Sequence, residues 1–222
     1  MSVLVYRDKS VAGAAAATLI AAQTIEKPMS VLGFDLTDDM APVYRALARM
    51  TGDGLLDWSD VTAFGLSEYV RADTDMSLTA KLSTLLYDRI NLKPERRFAP
   101  NGAATDWSVA CNEYEDAILQ AGGFDLVFLG IRSDGSIAFH PGATELAPVT
   151  HVERTENGRV VTVGLSTLMG AKKIVAYLIG ADKAVIADRI CNGPVTPQIP
   201  ATYLQLHPNT VFLLDEDAAA RL

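Results

Sequence analysis

Apolar residues recur along the chain in two alternating rhythms. Short, nearly continuous runs read as strands: SVLVYR near the start, SVLGF (30–34), DVTAFGL (60–66), FDLVFLGI (124–131), RVVTVGLS (159–166), KIVAYLIG (173–180) and NTVFLLD (209–215). Between them the apolar spacing changes to that of helices. An Ala-rich helix is expected over 10–26, capped by Asp8 or Ser10. Others are expected over 39–51, ended near Gly52, and over 77–90, with Leu78, Leu82, Leu85, Leu86 and Ile90 on one face. A further helix over 106–121 is stopped by Gly122-Gly123, and one more covers 181–191. The stretch NLKPERRFAPNGAA reads as a loop, punctuated by Pro94, Pro100 and Gly102.

Strand and helix alternate, so the pattern predicts an α/β layered fold with a mostly parallel sheet, in one domain over 1–222. FDLVFLGI has no polar alternation, as expected of a central strand covered on both faces. Ligands in such folds bind beyond the carboxyl ends of the strands. The informative segments are therefore DLTDDM, SEYVRAD, RSDGSIAFHPGATE and GADK.

Composition narrows the function. Of 222 residues, 49% are hydrophobic, enough for a sizeable core. A formal charge of -8 argues against nucleic acid as a partner, since that needs a basic footprint. Cys111 and Cys191 are isolated and read as reduced thiols, with no metal-ligand spacing. Trp58 and Trp107 read as packing residues and His151 as a surface residue. Asp8 and its charged neighbours interrupt the N-terminal apolar stretch, which suits a strand followed by a helix better than a signal peptide. No apolar run is long enough to span a membrane. A soluble, cytoplasmic protein with no membrane partner is the expectation.

The segment GIRSDGSIAFHPG resembles the glucosamine-6-phosphate deaminase/isomerase family, whose pattern there is G-I-G-x-D-G-H-I-A-F-N-E-P-G. Further segments agree in order and spacing. VTAFGLSEYV is similar to T-x-F-x-x-D-E-Y, and YEDAILQAGGFDLVFLGI to Y-E-x-x-I-x-x-x-G-G-I-D-L-x-x-L-G-I. VTVGLSTLMGAKKIVAYLIGADKA and NGPVTPQIPATYLQLHPN also follow family patterns. The 6-phosphogluconolactonases are related through the same fold and part of the D-G-H motif. The resemblance implies a three-layer α/β/α Rossmann-like domain without a cofactor. It implies ring opening and proton transfer on an amino-sugar 6-phosphate. That chemistry requires a base, an acid/base pair and a phosphate cradle.

The chain departs from the family where that chemistry is done. The cradle pattern G-L-x-T-G-x-T-P is replaced by Gly33-Phe34-Asp35-Leu36-Thr37-Asp38-Asp39-Met40. Asp38 and Asp39 are expected to cap the following helix and to repel a phosphate dianion, with binding of a cation or of a polyhydroxyl part of a ligand as the alternative. The family base is replaced by Ser67, followed by Glu68. Asp134 matches the family aspartate, Ser136 replaces its histidine, and His140 stands for its N-E pair. Lys183 matches a phosphate-contacting lysine, Lys172 falls where an arginine is common, and His207 reads as a structural hydrogen-bonding residue.

The expected catalytic residues are Asp134, His140 and Glu68. The expected substrate-binding residues are Gly33, Thr37, Asp38, Asp39, Ser67, Ser136, Lys172 and Lys183, with Asp134 and His140 lining one pocket and Ser67 and Lys183 on its rim. The expected ligand is a small carbohydrate, and self-association into a homo-oligomer is left open. Three readings follow: a sugar isomerase/deaminase-like enzyme with an altered site, a lactonase of the 6-phosphogluconolactonase type, or a catalytically inactive carbohydrate-binding or regulatory relative.

Overall fold

The computed structural model describes residues 1–71, 77–143 and 145–222. Strand β1 (Ser2–Tyr6) leads into α1 (Lys9–Glu26), whose first turn is capped by Asp8 accepting from the N–H groups of Ser10 and Val11. Strand β2 (Val31–Phe34) is followed by a single 3₁₀ turn over Asp38–Met40 and then α2 (Ala41–Gly52). Next come β3 (Thr62–Gly65), β4 (Ser67–Tyr69) and α3 (Leu78–Leu85), capped by Ser77. The segment expected to be a loop contains a 3₁₀ turn over Pro94–Arg96 and the two-residue strand β5 (Arg97–Phe98). Helix α4 (Trp107–Gln120), capped by Asp106, precedes β6 (Leu126–Gly130). The chain continues through β7 (His151–Thr155), β8 (Gly158–Thr162), α5 (Leu165–Met169), β9 (Ile174–Leu178), α6 (Ala184–Asn192) and β10 (Thr210–Asp215).

Seven strands form one sheet in the order β1-β10-β9-β6-β2-β3-β5, and every pairing in it is parallel. Alternate side chains of each strand serve opposite faces. Leu32, Phe34, Leu126 and Phe128 pack with α1, α2 and α3. Val31, Val127 and Leu129 pack with α4, α5 and α6. All five residues of β6 are buried, which is why its sequence shows no polar alternation. Burying a side chain such as Phe128 contributes about 1.5–3 kcal/mol. The Ala-rich composition of α1 has a steric reason: Ala12, Ala16 and Ala17 are buried, and their small side chains seat the helix close to the sheet.

The strand expected over DVTAFGL is present as β3, whereas β4 and β7 were missed in the sequence reading. After β3 the chain leaves the main sheet: β4 pairs antiparallel with β8, which pairs antiparallel with β7. This small sheet lies beyond the carboxyl ends of the main one and walls one side of the cleft described next.

Candidate functional site

The cleft arises from strand order. After β2 the chain proceeds outward through β3 to β5, whereas β6 sits on the other side of β2 and leads to β9 and β10. The loops following β2 and β6 therefore diverge, leaving a crevice at the topological switch point. It opens into a cleft of about 720 Å³ whose walls include Thr37, Asp38, Asp39, Arg132, Phe139 and Lys183. Gly130, ending β6, is required by close approach: a Cβ there would lie 2.6 Å from Thr37 Cγ2 and 3.0 Å from Met40 Sδ.

The three carboxylates of DLTDDM have three separate surroundings. Asp35 is 2% exposed. Its Oδ1 accepts from the Leu36 N–H at 2.8 Å and its Oδ2 from the Gly130 N–H at 3.2 Å, tying β2 to β6. Tyr44 donates its hydroxyl to the Asp35 carbonyl. Burial pushes the Asp35 carboxyl up, against the pull of Arg132 and the two N–H groups. Asp38 is exposed at the cleft edge. Asp39 Oδ2 accepts from Lys183 Nζ at 2.8 Å. The same ammonium donates to the Ile179 carbonyl at 3.1 Å and lies 3.6 Å from Asp182. The expectation that Asp38 and Asp39 cap α2 is corrected: that helix starts at Ala41, its N-cap is Met40 without a side-chain bond, and both aspartates lie in the preceding 3₁₀ turn.

None of the three catalytic residues named from sequence lines the cleft. Glu68 is buried and accepts from Ser77 Oγ and from the N–H groups of Tyr69, Leu78 and Thr79, so its carboxylate anchors the start of α3. Ser67 is buried and bonded to Thr162 Oγ1 at 2.7 Å, joining β4 to β8. His140 is 1% exposed, with Nε2 2.8 Å from the Val163 carbonyl. A carbonyl only accepts, so Nε2 carries the proton. Burial pushes the imidazole pKa down. Asp134 is exposed but turned onto its own loop, accepting from the Ser136 N–H at 2.8 Å, and Ser136 is buried. The expected juxtaposition of Asp134 and His140 in one pocket is therefore not found.

Two binding residues are also corrected. Lys172 precedes β9 and pairs with Asp125, which precedes β6, at 2.8 Å. Lys27 joins the same carboxylate at 2.6 Å. This cluster is at the amino ends of the strands, the edge opposite the cleft. Gly33 is a packing residue inside β2, where a Cβ would lie 2.9 Å from Leu66 Cδ2 and 3.1 Å from Val127 Cγ2. Of the residues named from sequence, Thr37, Asp38, Asp39 and Lys183 share the cleft. His207 has the structural role expected, bonded to Thr210 Oγ1 and the Ala171 carbonyl.

Sequence reasoning missed the other wall. Arg132 places its guanidinium 4.2 Å over the Phe139 ring, and Tyr69 meets that ring edge-on with centroids 5.7 Å apart. Ala138 and Phe139 hold left-handed backbone at φ 42° and 62°, costing about 1–2 kcal/mol each for residues with a Cβ. Two strained residues in succession set the ring against Arg132. Lys81 reaches the cleft from α3. The available signal was Arg132 standing at the second glycine of G-I-G-x-D-G; Lys81 had none.

An aromatic wall with hydrogen-bonding groups around it suits a hydroxyl-rich ring compound. Among the described residues, no group of three or more His, Cys, Asp or Glu is placed to hold a metal ion. No described helix is long and apolar enough to cross a membrane.

Comparison with known proteins places this geometry in context. The family model described as glucosamine-6-phosphate isomerases/6-phosphogluconolactonase matches residues 38–213. The chain is 34% identical over 241 aligned positions to a glucosamine-6-phosphate deaminase of Clostridioides difficile, covering 100% of this chain and 97% of the relative. It is 37% identical to one of Arthrobacter sp., covering 100% and 93%. The solved structure of a monomeric glucosamine-6-phosphate deaminase superposes with a TM-score of 0.96 at 27% identity, covering 100% of both chains. A 6-phosphogluconolactonase from Trypanosoma brucei shares the fold at a TM-score of 0.81 and 21% identity, covering 100% and 98%. On the family match and these full-length relatives together, the chain belongs to the glucosamine-6-phosphate isomerase/6-phosphogluconolactonase family.

Proposed function

We propose that this chain is a carbohydrate-binding member of the family that takes a sugar derivative into the cleft between the β2 and β6 loops and does not deaminate glucosamine 6-phosphate. The observation that carries this is the Lys183–Asp39 ion pair. The cation matching the family's phosphate lysine is held by a carboxylate of its own chain, Asp182 lies 3.6 Å from it, and Asp38 lines the same cleft. A phosphate dianion at this point would displace one carboxylate and be repelled by the others, at about 1 kcal/mol per pair in water and several-fold more at a protein surface. The proton-transfer positions support the same reading. Ser67, His140 and Glu68 spend their polar groups on the fold.

The identity of 34–37% to relatives named glucosamine-6-phosphate deaminase favours a second reading, an isomerase or deaminase with a rebuilt site. A thermal-shift series with glucosamine, galactose, glucosamine 6-phosphate and fructose 6-phosphate separates the two. A ligand at a hundred times its dissociation constant stabilises by about 2.7 kcal/mol. In a chain of this size that shifts the melting temperature by roughly 5–10 °C. Shifts with the unphosphorylated sugars and none with the phosphates support the first reading. The reverse order supports the second.

A further inference from the structure

We infer that Arg132 is the receptor for a carboxylate group on the ligand, so that the class of compound this cleft takes is a sugar acid lacking a 6-phosphate. The inference rests on the carbohydrate-binding reading above and narrows it. The buried Nη1 of Arg132 has no hydrogen-bond partner among the described residues. A charged donor left unpaired in a buried position is unfavourable and calls for an acceptor. The other cleft cations differ: Lys183 is taken up by Asp39 and the Ile179 carbonyl, and Lys81 is exposed to water.

The surroundings of Arg132 select the acceptor. The Phe139 ring lies against the guanidinium, so an anion approaches at the edge of the fork, in the bidentate geometry that planar carboxylates match. Asp38, Asp39 and Asp182 line the same cleft, and Asp35 is close enough to Arg132 for each charge to act on the other. A single negative charge meets half the repulsion of a phosphate dianion there. Tyr69, packed edge-on against Phe139, and Asn157 also line the cleft and offer polar groups for hydroxyls. Arg132 stands where the family pattern carries glycine, so this receptor is no part of the family's phosphate cradle.

Calorimetric titration of the full chain tests the inference with gluconate, glucuronate and galacturonate, against glucose, galactose, glucose 6-phosphate and inorganic phosphate. At least one sugar acid is expected to bind tenfold or more tightly than the neutral sugars. In Arg132→Lys and Arg132→Gln that preference for sugar acids over neutral sugars should fall at least tenfold. If both variants fail to fold, competition of the wild-type complex by acetate decides instead. Sugar acids binding no better than neutral sugars, tighter binding of glucose 6-phosphate, or no loss in the variants would overturn the carboxylate assignment. Binding of neutral sugars in those cases leaves the carbohydrate reading intact; if no sugar of any kind binds, both fall.

Discussion

Lys183 and Asp39, on loops that follow different strands of the sheet, meet across the crevice at 2.8 Å. The lysine is 8% exposed at its side chain and the aspartate 41%. This half-buried pair sets the first expectation. Replacing Asp39 with Asn frees the ammonium and removes one negative charge from the cleft. Inorganic phosphate and glucosamine 6-phosphate should then bind about tenfold or more tightly than to the wild type, since about 1.4 kcal/mol suffices for a factor of ten. The folded state should lose about 1–2 kcal/mol, between the values for exposed and buried pairs. Titration calorimetry and urea unfolding give the two numbers. Unchanged phosphate binding would remove the argument that Asp39 blocks the dianion.

Glu68 is expected to matter for stability rather than for chemistry. Its buried carboxylate satisfies Ser77 and the backbone of Leu78 and Thr79 at the start of α3. Glu68→Ala strands those donors and should cost about 2–4 kcal/mol in urea unfolding. A variant as stable as the wild type would free this carboxylate for a direct role in the cleft.

The layered fold was legible because strand and helix periods alternate cleanly and β6 is apolar throughout. The second sheet was not, since Ser67–Tyr69 is too short to stand out as a strand and only its pairing with β8 makes it one. Motif positions located the loops but not the direction of their side chains. Asp134, Ser136 and His140 lie in the right loop, yet its left-handed residues at Ala138 and Phe139 present Phe139 to the cleft and leave His140 in the interior. Lys172 failed for a simpler reason: it precedes its strand, and the cleft lies beyond the other end.

His140 gives the pH dependence its sign. Burial lowers its folded-state pKa below the unfolded value of about 6.5. The unfolded chain therefore takes up the proton first as pH falls. The contribution is fully present above about pH 6.5 and is lost as pH drops from there through the folded-state pKa. Urea unfolding at pH 7.5 and 5.5 should show a larger loss for the wild type than for His140→Gln. Equal losses would show that the imidazole titrates alike in both states.

Lys172→Ala should leave every ligand affinity unchanged, because the Lys172–Asp125 contact is at the amino edge of the sheet. Its lysine is 65% exposed, so the stability loss should stay within about 1 kcal/mol. A change in ligand affinity of tenfold, read by calorimetry, would place this lysine in the binding machinery after all.

The central claim is that the cleft persists while its phosphate position is filled by the chain's own carboxylate and the proton-transfer groups serve the fold. The most direct test is ammonia release from glucosamine 6-phosphate by the full chain at saturating substrate. The account expects release indistinguishable from the protein-free control. Turnover in the usual enzymatic range of about 1–1,000 per second would contradict it.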